Sequence, residues 1–173
     1  MQIPKIIKMM FRTHLAFSFL ISILIIDSFN IQNKVMFIVI LLIASVLPDI
    51  DSYKSKLGRK IKPISFLINI FLGHRGIFHS LFLLILISLI IAFINNEIAA
   101  AFFIGYLSHL ILDSLTPEGV MFFYPFSKKR IKGIIRTSSL WENIFFFVFI
   151  ILCFEMLFLY AIGHWTFLDK LFK

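Results

Sequence analysis

The chain holds five histidines and five aspartates, and seven of those ten stand in four short stretches. His14 opens an apolar run, and Asp49 and Asp51 lie in "LPDID". His74 and His79 lie in "HRGIFHS", and His109 and Asp113 in "GYLSHLILDS". Imidazole and carboxylate are the donors that borderline divalent cations take, and a set without sulfur suits Zn, Mn or Fe. His109 and Asp113 are four apart, so on a helix they share a face one turn apart. Asp49 and Asp51 flank one residue just past Pro48, where a helix is expected to end. An extended Asp-x-Asp there would point both carboxylates the same way. On one helix His74 and His79 would diverge by about 140°, so His74 is expected in the Gly73–Gly76 turn and His79 on the first turn of the next helix. Four imidazoles and three carboxylates exceed the needs of one tetrahedral ion. They suit two or more, with a carboxylate or hydroxide bridging.

The elements that must carry these groups are greasy. Of 173 residues 60% are hydrophobic and 23 are Phe, with mean hydropathy +0.99. Soluble domains are closer to half apolar, so the composition implies one integral membrane domain over 1–173. Five apolar stretches stand out, at about 14–30, 35–48, 80–95, 97–113 and 143–165. They predict an all-helical bundle of five spans, although the first four are short against the roughly 20 residues a span needs. The run "ISFLINIFLG" (64–73) is too short to cross and is expected in the interface. The basic, apolar N-terminal segment lacks a small-x-small cleavage site and reads as a retained span. The single cysteine, Cys153, lies in an apolar run, which excludes a disulfide framework and a Cys-based metal site.

With five spans, Lys and Arg on alternate sides number fourteen against three. That asymmetry predicts a cytoplasmic N-terminus and an outside C-terminus. It accounts for the net charge of +8 without nucleic acid, for which no reader motif is present. In this topology all seven His and Asp residues belong to the cytoplasmic ends of spans one to four. Ionisable groups at such positions are costly and mark functional sites. Singly, each has a plainer role: an interfacial histidine, a turn or cap aspartate, Arg75 as one more basic loop charge. Their common placement carries the metal reading. Asp27, His164 and Asp169 fall at the opposite face or in the tail and are read as structural.

Taken together, "LPDID", "HRGIFHS" and "GYLSHLILDSLTPEGV…YPF" resemble the YdjM-like family of bacterial inner-membrane proteins, described as LexA-regulated, membrane-bound, metal-dependent hydrolases. The resemblance runs from His14 to about Glu142. It extends distantly to the all-helical zinc-dependent phospholipase C and single-strand nuclease superfamily, whose metal sites also use an H-x-x-x-D helix pair. By position it implies a metal centre lined by His14, Asp49 or Asp51, His74, His79, His109 and Asp113. In such a centre a metal-bound water would be the nucleophile. Asp51 or Glu118 would take its proton, and Arg75 would clamp a phosphate. The loop "YPFSKKRIKGIIR" suits anionic headgroups. Ser139–Glu142 reads as a capping box for the fifth helix. Chemistry at a membrane face implies a substrate that lives there, a phospholipid or other lipid-linked phosphate. Two rivals use the same residues: a metal-ion transporter, and a non-enzymatic scaffold with a structural metal.

Overall fold

The computed structural model describes residues 11–26, 31–51, 76–136 and 139–162, with backbone alone at Asp51. These form α1 (Phe11–Ile26), α2 (Lys34–Ala44), α3 (Leu81–Ala92), α4 (Asn96–Ser114) and α5 (Leu140–Ala161). Two short 3-10 turns, Leu47–Asp51 and Ile77–His79, precede and follow the undescribed segment 52–75. Among the described residues the only β-type pairing is an isolated bridge between Val120 and Ile131. The expected all-helical class is what the described residues adopt.

Local chemistry sets the helix starts. Asn33, Ser80, Asn95 and Ser139 each accept a hydrogen bond from the backbone N–H three residues on. A side-chain oxygen at this position satisfies one of the amides that the first turn leaves unpaired. Between α2 and the undescribed segment, "LPDID" winds into a 3-10 turn and is not the extended pair expected from its spacing. Pro48 brings its own φ into the helical range, so the backbone through Asp49 winds where an extended pair would run straight.

The helices alternate in direction. Ser18 meets Ser108 and His14 meets Asp113, so α1 and α4 are antiparallel. Thr13 meets Glu142 and Phe17 meets Phe149, so α1 and α5 run together. Ser45 meets His109, and Leu41 packs beside Gly105 so closely that a Cβ there would strike the Leu41 carbonyl. Glycine thus permits the α2–α4 approach. The starts of α1, α3 and α5 and the ends of α2 and α4 therefore gather at one end of the bundle.

Around α4 the core is Ala44, Leu84, Phe102, Tyr106, Leu110 and Val120. Leu20, Ile23 and Cys153 join α1 to α5, so Cys153 packs as a small buried hydrophobe. Burial of each large side chain of this kind contributes about 1.5–3 kcal/mol. α4 (19 residues) and α5 (22 residues) are long and apolar enough to cross a membrane. α1, α2 and α3 are apolar but have 16, 11 and 12 residues. α4 is mostly enclosed by the other helices, whereas α5 stands at the edge, packed chiefly on α1. The run 64–73 lies outside the described residues.

Candidate metal centre

Five residues from four chain segments converge at the gathered end. His14 comes from the first turn of α1, Asp49 from the turn after α2, and His79 from the turn before α3. His109 and Asp113 come from the last turns of α4. All five are buried. His14 Nε2 lies 3.4 Å from Asp113 Oδ1, and His79 Nε2 lies 3.4 Å from Asp113 Oδ2. His109 Nε2 lies 3.4 Å from Asp49 Oδ1 and 3.7 Å from Asp113 Oδ2. The imidazoles of His14 and His109 stack at 4.1 Å between centroids, and His79 meets His109 edge-on at 5.3 Å.

These separations are too long for hydrogen bonds, which close at about 2.7–3.2 Å. They match the edge of a coordination tetrahedron: two donors at about 2.0–2.1 Å from one ion sit about 3.3–3.4 Å apart. Two donor groups can each hold an ion, His14 with His109 and Asp113, and Asp49 with His79 and His109. They share His109, and the two Asp113 oxygens face different imidazoles.

The donors are held from behind. His109 Nδ1 is 2.7 Å from the Ser45 carbonyl, which only accepts, so Nδ1 carries the proton and Nε2 presents its lone pair to the cluster. Among the described residues neither ring nitrogen of His14, nor His109 Nε2, has a hydrogen-bond partner. Buried polar atoms are as a rule paired, so imidazole nitrogens left without a partner inside a His/Asp cluster fit a cation. Tyr106 Oη donates to the Phe78 carbonyl at 2.6 Å and fixes the turn that carries His79. Ser80 Oγ donates to the Ile77 carbonyl in the same turn. His79 therefore sits one residue before the N-cap of α3, not on its first helical turn as its spacing suggested.

A strap over 115–136 follows α4 at this end. Val120 and Ile131 exchange both backbone hydrogen bonds at 3.0 Å. Gly133 and Ile135 donate to the carbonyls of Thr116 and Leu115, and Leu81 donates to the Phe122 carbonyl. Gly119 turns the strap at φ +65°, where a side chain would also strike the Ile131 carbonyl. Phe126 and Ile134 project outward, 83% and 91% exposed, beside the basic residues 128–136.

The fifth helix also reaches this end. Ser139 caps α5, but its own N–H bonds to the Arg136 carbonyl, so the full capping box is not made. Glu142 instead turns inward, is fully buried, and accepts a hydrogen bond from Thr13 Oγ1 at 3.3 Å. Thr13 precedes His14, so α5 braces the start of α1. Read as a cap, Glu142 gave no hint of this contact.

Of the other expected site residues, His74 and Arg75 lie outside the described residues, as does the Asp51 side chain. Glu118 stands on the strap, half-buried. Its carbonyl accepts from Arg130, and its side chain is not among the grouped donors.

Apolar helices that enclose a His/Asp donor cluster at one end define a class, membrane proteins with a candidate metal centre. Within it, the chain belongs to the YdjM inner membrane protein family, whose model matches residues 9–169. It is similar to YvsG of Bacillus subtilis (strain 168), 34% identical over 105 residues, covering 59% of this chain and 66% of that protein. It is also similar to the inner membrane protein YdjM of Escherichia coli (strain K12), 41% identical over 93 residues, covering 49% of this chain and 46% of that protein. The chain thus spans less than two thirds of the length of either relative. No solved structure matches it.

Proposed function

We propose that this chain is a membrane-embedded, metal-dependent hydrolase of the bacterial inner membrane that acts on a phospholipid or other lipid-linked phosphate. The observation that carries the reading is the spacing of the donor cluster, tetrahedral edges where hydrogen bonds would be shorter. We read α1 to α5 as five crossings with the cluster at the cytoplasmic face, on the Lys/Arg asymmetry of the sequence. The short helices cross as parts of longer apolar runs, one turn of polar residues dipping into the interface.

Two zinc ions fit the donors best. One would be held by Asp49, His79, His109 and Asp113 Oδ2, the other by His14 and Asp113 Oδ1 with a donor from elsewhere, for which His74 and Asp51 are the choices. A bound ion would supply a polarising charge and an acidified water. The protein would hold the imidazoles in one tautomer through Ser45 and exclude bulk water by the strap. Arg75 would grip phosphate oxygens in a bidentate fork, and Asp51 or Glu118 would accept a proton. Membrane lipids are the partners in this reading.

A structural metal is the second reading, favoured by the burial of all five donors. Purified protein assayed for metal by elemental mass spectrometry, then incubated with native lipid extract, tests both. Bound metal with phosphate release or headgroup loss supports the hydrolase. Bound metal with every phospho- and acyl-lipid bond intact supports the structural site and ends the hydrolase reading.

A further inference from the structure

α5 touches the bundle through one stripe, with Phe149, Leu152, Cys153 and Met156 against α1. A second stripe runs its whole length on another side: Ile144, Val148, Ile151, Glu155, Phe158 and, at the C-cap, Ile162. The spacing alternates four and three, the pattern that keeps a seam facing a second helix. The five apolar members are all exposed. The sixth is a carboxylate, also exposed, with no hydrogen bond or ion pair to any described residue.

On a soluble helix an exposed glutamate needs no explanation. In α5, read as a span in the proposal above, it does. Glu155 lies six residues before the helix end at Ala161, about 9 Å along the axis, farther than its side chain reaches. Hydrocarbon offers no partner at that depth, and carboxylates in such places face protein.

We propose that the α5 seam binds a second copy of this chain, with Glu155 meeting Glu155 of the partner subunit. Copies inserted in one membrane share orientation. A two-fold axis along the membrane normal therefore brings each residue to its own counterpart at the same depth. Two carboxyl groups so placed are each other's hydrogen-bond partners across the axis, where lipid offers none. Ile144, Val148 and Ile151 supply stiff β-branched knobs. One polar residue in an otherwise apolar seam fixes register and partner number. The metal ends of both copies then open to the same face.

The test is thiol cross-linking in vesicles of phosphatidylethanolamine and phosphatidylglycerol, at high lipid-to-protein ratio, in a Cys153→Ser background. Glu155→Cys and Ile151→Cys should give mostly cross-linked dimer on mild oxidation. Phe147→Cys and Phe154→Cys, off the seam, should give several-fold less. In the cysteine-containing parent, single-molecule photobleaching should show two-step traces, and Glu155→Leu should raise the dimer dissociation constant about tenfold. Glu155→Gln, whose amides still pair across the axis, should stay close to the parent. Equal cross-linking on and off the seam, or one-step traces for the parent, overturns the proposal. Extraction of the parent by alkaline carbonate overturns the membrane reading and the pairing with it, whereas a carbonate-resistant monomer overturns the pairing alone.

Discussion

The two ends of the bundle use the same helices in opposite ways. At the metal end, groups far apart in sequence meet: His14 with Asp113, Ser45 with His109, Thr13 with Glu142. At the other end, among the described residues, apolar packing of Ile31, Phe37 and Ala101 joins the helices and polar contacts are mostly local. Asn33 and Asn95 cap their own helices, and a polar cross-link runs from the Gln32 N–H to Glu97. The α3–α4 turn leaves Phe93 and Ile94 exposed at 93% and 82%. Directional contacts in a buried site demand one geometry, whereas apolar surface accepts many. Substitutions should therefore separate the ends sharply.

The largest effect is expected for Asp113→Asn and His109→Ala. Asp113→Asn removes a carboxylate whose two oxygens face both halves of the cluster, and His109→Ala removes the imidazole common to both candidate donor groups, so metal affinity should fall by more than the 10–100-fold typical of outer-shell changes. Elemental mass spectrometry after dialysis reads this out, and full metal retention in both variants would break the shared-centre model.

Gly105→Val comes next. The side chain would enter the Leu41 backbone and push apart the helices that bring Ser45 to His109. We expect a loss of about 1–3 kcal/mol with weakened metal binding, measured by thermal unfolding in detergent and by metal content. An unchanged Tm would mean that α2 and α4 are not in close contact.

Thr13→Val should act more gently, about tenfold on metal affinity, since it disturbs the start of α1 without removing a donor. Glu142→Gln separates charge from hydrogen bonding, because an amide oxygen still accepts from Thr13. Metal affinity close to wild type in Glu142→Gln, with a loss in Thr13→Val, would mark the bond as the working feature. The smallest effect belongs to the far end. Phe93→Ser should leave metal content unchanged and stability within about 0.5 kcal/mol.

Much of this was legible without coordinates. Hydropathy marked five helices at nearly their observed places, because helices that are apolar on most sides show as long apolar runs. The i, i+4 spacing of His109 and Asp113 placed both donors on one face of α4, a relation fixed by helix geometry alone. The cap residue Ser139 announced the start of α5, since that chemistry acts within four residues. Beyond that range spacing misled. "LPDID" looked like an extended pair and is a 3-10 turn, and Glu142 looked like a cap residue and braces α1.

By itself, then, the sequence determined the helices, their apolar character, the start of α5 and the donor types, all of which follow from local composition and side-chain chemistry over a few residues. Tertiary structure alone decided that His14 and Asp113, ninety-nine positions apart, stand 3.4 Å apart. It also decided that the Ser45 carbonyl sets the tautomer of His109 and that Asp113 faces imidazoles on both sides. Such contacts depend on how closely whole helices approach, and no local pattern records that distance.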